Sequence, residues 1–203
     1  FFYIHRMTSL NQNWKNFLEK GDEFSFSIIY NKYVEELYAY GISLGFQKEN
    51  CKDAIQDIFI KIFLDRNNIS KIENKSGYIF RSYKNRLIDL EKKNNNKDNI
   101  DSVEDKFTIE VTILDNLIET EIANIVKEKI KKLLESITPN QREVVYLKYV
   151  VGLQHSEIAE ILGIHEESAR KLLYRAMEKL RNKISNDELY LIAIYFMLLR
   201  FII

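Results

Sequence analysis

Proline occurs once and glycine six times in 203 residues. Sandwiches and barrels of strands need a turn residue every few positions, so this scarcity argues for long helices joined by short connections. Cysteine occurs once, at Cys51, which leaves no disulfide framework and no cysteine-based zinc spacing. A reducing, cytoplasmic setting follows. The three histidines, His5, His155 and His165, have no ligand spacing with that cysteine. A phosphate-cradling glycine loop and a Gly-x-Ser-x-Gly elbow are also missing. The residues therefore support no enzyme, no metal site, no cofactor and no small-molecule substrate. Net charge is absent as well, because 30 Lys and Arg balance 30 Asp and Glu. A nucleic-acid partner is not excluded, but it requires the two signs to be segregated along the chain. The opening Phe1-Phe2-Tyr3-Ile4-His5-Arg6-Met7 is too short for a signal-peptide core and lacks a small-residue cleavage site. Met7 reads as a natural start, and the first six residues are set aside from the fold.

What is present is helical periodicity. About 46% of residues are hydrophobic, enough for a buried core. Ile55, Ile58, Phe59, Ile62 and Phe63 recur at helical spacing, while Asp53, Gln56, Asp57, Ile60 and Lys61 point elsewhere. Tyr30, Tyr33, Val34, Leu37 and Tyr38 form an earlier stripe, and Tyr78, Ile79, Tyr83, Leu87 and Leu90 a later one. Residues 22–93 thus read as a first helical domain behind an N-terminal tail, 1–21.

The pattern then stops. The segment 94–120 opens on Asn94-Asn95-Asn96 and carries seven acids against Lys97 and Lys106. It reads as an acidic flexible linker. A second helical domain follows over 121–185. One helix runs from about Glu121 to Ser136. Thr138-Pro139-Asn140-Gln141 starts the next with a capping box and a first-turn proline. Gly152 ends it, a short helix covers 155–162, Gly163 permits a turn, and a last helix covers 165–183. Residues 186–203 form a hydrophobic tail, nearly all apolar from 189 and broken by Arg200, too short for a confident membrane span. The fold class is all-α: two small helical domains joined by a linker.

Glu157-Ile158-Ala159-Glu160-Ile161-Leu162-Gly163-Ile164 before a basic helix has the form of a helix-turn-helix. Ile158, Leu162, Ile164, Ala169, Leu173 and Ala176 are the expected inner face. Arg170, Lys171, Tyr174 and Arg175 are the outward candidates for DNA. The competing reading is an ordinary helical hairpin with a solvated basic face. In the first domain, 71–93 interleaves Lys71, Lys75, Arg81, Lys84, Arg86, Lys92 and Lys93 with Tyr78, Phe80 and Tyr83. Cations for phosphates and rings for unpaired bases suit a separated strand, and core packing is the alternative for the rings.

These residues carry a resemblance. Pro-x-Gln-Arg-Glu-Val from Pro139, Gly-Leu-x-x-x-Glu-Ile-Ala-Glu-x-Leu-Gly-Ile from Gly152 and Tyr-Arg-Ala-Met-x-Lys-Leu-Arg from Tyr174 resemble region 4 of sigma-70-family factors. The segment Asp53 to Phe63 resembles the core-binding helix of region 2, and Gly77 to Asp89 its promoter-melting segment. With only a linker between the two sets, the layout is similar to the extracytoplasmic-function group. The resemblance implies a transcription initiation factor that binds RNA polymerase core and directs promoter recognition and melting. It places Asp53, Gln56, Asp57, Ile60 and Lys61 against the clamp coiled coil. It assigns Lys75, Tyr78, Arg81, Tyr83, Lys84, Asn85, Arg86, Lys92 and Lys93 to −10 DNA and its melting, with the loop 72–78 holding a flipped base. It assigns Ser168, Arg170, Lys171, Tyr174 and Arg175 to −35 DNA. The flap of the polymerase is the partner of region 4, and the acidic linker is implied to thread the polymerase cleft.

The recognition helix departs from the family pattern in His165-Glu166-Glu167-Ser168 and Leu172. Acids suit a helix N-terminus but not the approach to phosphates. Reading of the −35 element is therefore expected to be weak alone, with targeting partly delegated to a partner. Such a DNA-targeting partner, or an anti-sigma factor, would engage region 4 or the tail. A stand-alone helix-turn-helix regulator, acting as a dimer on a palindrome, is the alternative of a different class.

Overall fold

The computed structural model describes residues 2–95, 107–108 and 121–183. Among them every regular element is helical: α1 (Phe2–Lys20), α2 (Glu23–Ser43), α3 (Lys48–Leu64), α4 (Arg66–Ile69), α5 (Lys75–Asn95), α6 (Glu121–Glu135), α7 (Pro139–Tyr146), a π-helical turn (Leu147–Val151), α8 (His155–Leu162) and α9 (Glu166–Arg181). The all-α expectation holds. The chain divides into two units, Phe1–Ile42 with Phe46–Asn95, and Ser43–Gly45 with Asn96–Ile203.

The first unit differs from the sequence reading at its start. The expected tail 1–21 forms α1, and its Trp14 and Phe17 are buried. Leu10, Trp14, Phe17 and Leu18 lie at i, i+4, i+7 and i+8, so the stripe was present in the sequence. Phe17 is fully buried, 4.8 Å from the ring of Phe26 and 5.9 Å from that of Phe63. Burying one such side chain stabilises by roughly 2–3 kcal/mol. Asp22 Oδ2 accepts from the Ser25 amide at 2.9 Å and caps the start of α2. Hydrogen bonds from Ser25 hold the Asp22 carboxyl below its ordinary value.

The α3 stripe is buried as expected through Ile55, Ile58, Phe59 and Ile62, while Phe63 keeps 40% of its surface exposed. Helices α3 and α5 pack closely. Between them and α2 sit Cys51, Tyr83 and Tyr40, all fully buried. Burial pushes the Cys51 thiol up, and a hydrogen bond with the Tyr83 hydroxyl acts the other way. Gly41 makes this arrangement fit: a Cβ there would collide with the Tyr83 hydroxyl and lie 2.7 Å from Cys51 Sγ. Gly41→Ala is expected to destabilise the first unit by about 1–3 kcal/mol through overpacking, despite the better helix propensity of alanine. Urea denaturation followed by circular dichroism checks this, and an equal or higher midpoint counts against it.

In the second unit the capping box at α7 forms. The Gln141 amide donates to Thr138 Oγ1 at 3.3 Å, and the Thr138 amide donates to Gln141 Oε1 at 3.1 Å. A cap of this kind contributes about 1 kcal/mol. The helix then widens into the π-helical turn and stops at Gly152, whose φ of 86° is left-handed. Lys148 Nζ donates to the Leu153 carbonyl at 3.1 Å and fastens that turn. Arg142 is the central tie. Its Nη1 donates to the carbonyls of Leu134 at 3.2 Å and Ile137 at 2.7 Å, closing the end of α6. Its Nε donates to the Phe107 carbonyl at 2.7 Å. The Phe107 ring is buried, 5.6 Å from Tyr146. One linker residue is therefore part of this unit's core. Apart from Asn94, Asn95, Phe107 and Thr108, the linker 94–120, including the acids expected to thread a cleft, lies outside the described residues, as does the tail 186–203. No helix among the described residues is long and apolar enough to cross a membrane.

Candidate nucleic-acid and protein interfaces

The first candidate face is the outer side of α3. Asp53, Gln56, Asp57, Ile60 and Lys61 are all exposed, Ile60 at 49%. The helical period that buries Ile55, Ile58 and Ile62 forces these five outward, so one surface carries carboxylates, an amide, a cation and an apolar centre. That mixture suits a protein partner.

The second face is on α5. Arg81, Asn85, Lys92 and Lys93 are exposed, and Arg86 is partly so. Lys75 is drawn inward: its Nζ donates to the Ile72 carbonyl at 3.1 Å and lies 5.9 Å from the centroid of the Trp14 ring. Burial lowers the Lys75 ammonium from its ordinary value. Tyr78 is half-buried. Three residues expected at the strand are placed differently. Tyr83 and Phe80 are fully buried against Tyr40, with centroids 6.5 Å and 5.5 Å from it, and offer no ring to a base. Lys84 is also buried, at 8% exposure. The reason is periodic: Ile79, Phe80, Tyr83, Lys84 and Leu87 share the inner side of α5, which leaves Arg81 and Asn85 outside. At 72–78 the Gly77 amide donates to Asn74 Oδ1 at 3.1 Å, which fixes the entry to α5.

The two faces meet in one contact that the sequence did not signal. Arg86 donates to Asp57 Oδ2 from both Nε and Nη2, each at 2.7 Å. Both side chains remain more than 40% exposed. Such a pair adds at most about 1 kcal/mol to folding. It does place a residue of the α3 face in direct charge contact with a residue of the α5 face.

The third face is a helix-turn-helix made by α8 and α9. Gln154 and Glu157 cap α8, the Gln154 amide donating to Glu157 Oε2 at 2.6 Å. Gly163, at φ 65°, turns the chain, and no atom lies within 4 Å of a Cβ built on it. Its role is conformational, since a left-handed backbone strains other residues. Ile158, Ala159, Ile161, Ala169, Leu173, Ala176 and Leu180 form the interior. Two expected inner positions are less covered: Leu162 is intermediate and Ile164 is 38% exposed, because Ile161 takes the inner position. Ser168, Arg170, Lys171, Tyr174 and Arg175 are all exposed, Tyr174 at 68%. Arg170, Lys171, Tyr174 and Arg175 line one shallow groove with Glu167 and Glu178.

The acids noticed at the start of α9 have partners. Glu166 Oε1 accepts from Arg170 Nε at 3.2 Å and from Nη2 at 2.5 Å. Glu167 pairs with Lys171 at 2.8 Å. Both are i,i+4 pairs with the acid N-terminal, the favourable order on a helix. His155, in the first turn of α8, lies in the same field. Partial burial, then Lys148 and Arg170, push its imidazolium below the ordinary value, and Glu166 opposes them.

Comparisons with known proteins agree with this layout. Residues 127–180 match the family model described as Sigma-70, region 4. The chain is 26% identical over 172 residues to the ECF RNA polymerase sigma factor SigM of Bacillus subtilis, covering 79% of this chain and 97% of that one. It is 24% identical over 177 residues to SigW of the same organism, covering 82% and 92%. In fold it is similar to CnrH, solved in complex with the cytosolic domain of CnrY. The TM-score is 0.52 at 18% identity, with 86% of this chain and 94% of that one covered. With helix-turn-helix, region 4 match and near full-length alignment in hand, the chain is similar to sigma-70-family factors of the extracytoplasmic-function group.

Proposed function

We propose that this chain binds RNA polymerase core and brings it to promoter DNA, acting in the cytoplasm as a binding protein rather than a catalyst. The observation that carries the proposal is the alignment that spans 97% of an ECF RNA polymerase sigma factor and includes both helical units. A stand-alone helix-turn-helix regulator needs only the second unit, and it gives no account of the exposed α3 face.

In this reading Asp53, Gln56, Asp57, Ile60 and Lys61 grip the polymerase clamp. Arg81, Asn85, Arg86, Lys92 and Lys93 hold the separated −10 strand, with Lys75 and Tyr78 at the entry to α5. Their cations neutralise phosphates and set a salt-dependent affinity. Tyr83, Phe80 and Lys84 support that surface from beneath. Ser168, Arg170, Lys171, Tyr174 and Arg175 meet upstream duplex, where the N-terminal part of a recognition helix approaches base edges. Self-pairing of Arg170 and Lys171 with Glu166 and Glu167 weakens their hold on phosphates, which supports delegation of part of the targeting to a partner bound at region 4.

The test is reconstitution of the full chain with core polymerase on a library of DNA templates, followed by sequencing of the transcripts. Initiation from a restricted set of templates is expected, at start sites that core alone does not use. Transcripts identical to those of core alone overturn the proposal.

A further inference from the structure

We infer that Glu166 is a base-reading residue, and that the Glu166–Arg170 pair of α9 recognises one C·G base pair in the major groove. The inference rests on the DNA-binding reading of α9 and goes beyond it by naming the base.

The geometry supplies the argument. Both members are exposed, with side-chain accessibilities of 44% for Glu166 and 63% for Arg170. Both guanidinium contacts end on the same oxygen, Oε1, at 3.2 Å and 2.5 Å. Among the described residues no hydrogen bond ends on Oε2, which leaves it as an acceptor, and none starts from Nη1 of Arg170, which leaves it as a donor. The pair presents an acceptor and a donor side by side, held in register by its own ion pair. In the major groove, cytosine shows an amine donor at N4, and its guanine partner shows acceptors at O6 and N7. A C·G pair is the complement of that arrangement.

Other bases fit less well. Thymine offers an acceptor and a methyl group. Adenine has a donor at N6 but places the acceptor N7 beside it, which repels a carboxylate. A carboxylate brought to DNA without a donor is unfavourable, yet the first turn of a helix stabilises it where it is. Oε2 of Glu166, which the Arg170 contacts do not reach, must therefore find a donor on the DNA or oppose binding. The neighbouring Glu167–Lys171 pair, 2.8 Å apart, is not equivalent, because an ammonium lacks the planar edge that guanine rewards.

The experiment uses the full chain with core polymerase on DNA randomised across the upstream element, comparing wild type with Glu166→Ala and Glu166→Gln. Wild type is expected to enrich cytosine at one position. Glu166→Ala should lower that preference about tenfold there and nowhere else. Glu166→Gln should move the preference toward adenine, which an amide bonds in two places. If Glu166→Ala strengthens binding to every sequence equally and leaves the base profile unchanged, the acid only screens its neighbours and the inference is overturned. If wild type directs core to no template, the promoter-directing reading fails, and this inference with it.

Discussion

Asp53→Lys is expected to weaken assembly with polymerase core about thirtyfold, the equivalent of losing roughly 2 kcal/mol at an interface hot spot. The side chain is exposed on the outer face of α3, so the substitution leaves the core of the unit untouched. Surface changes of this kind move folding stability by no more than about 0.5 kcal/mol. Affinity and stability should therefore separate cleanly. Asp57→Lys is a poorer probe, because it also sets a second cation beside Arg86 and disturbs the α5 face. Titration of fluorescently labelled chain with core polymerase gives the affinity, and a thermal melt controls for the fold. An unchanged affinity for Asp53→Lys would remove α3 from the interface.

Arg142→Ala should cost the second unit about 3–4 kcal/mol, more than the loss of any surface pair. Three carbonyls, those of Leu134, Ile137 and Phe107, lose a charged donor at once. Hydrogen bonds to a charged group contribute roughly 1.5–3 kcal/mol each, and they are not additive when they share one guanidinium. Desolvation lowers Arg142 from its ordinary value, with Glu135 opposing, yet a guanidinium stays charged at any working pH. Arg142→Lys should restore little, because an ammonium cannot span three directions with the planar geometry seen here. Chemical denaturation of the three proteins checks the order, and a lysine variant as stable as wild type would contradict it.

Much of this was legible in the primary structure. The α3 stripe, the Thr138–Gln141 box, the boundaries of α8 and the outward cations of α9 all follow from period and cap chemistry. What escaped had identifiable causes. The Trp14 and Phe17 stripe of α1 is short and set among Asn11, Asn13, Lys15 and Asn16, so it is weak beside the longer stripes that follow. Tyr83 and Phe80 looked equally suited to stacking on bases or on Tyr40, since an aromatic ring serves both and only the rotation of α5 decides. Phe107 sits among acids with no periodic neighbours, so nothing local marked it for burial. The Asp57–Arg86 contact joins residues 29 positions apart, beyond the reach of any helical spacing rule.

That last contact alters how ions should be counted. A guanidinium that already holds a carboxylate has its charge partly balanced before any strand arrives. In the proposed reading a phosphate would replace Asp57; the strand would then shed condensed counterions, but the carboxylate it displaces would gather cations of its own. The net release is smaller than a count of exposed basic side chains on α5 would give. Dilution of salt should then favour capture of an opened strand less steeply than the basic sequence of that helix implies.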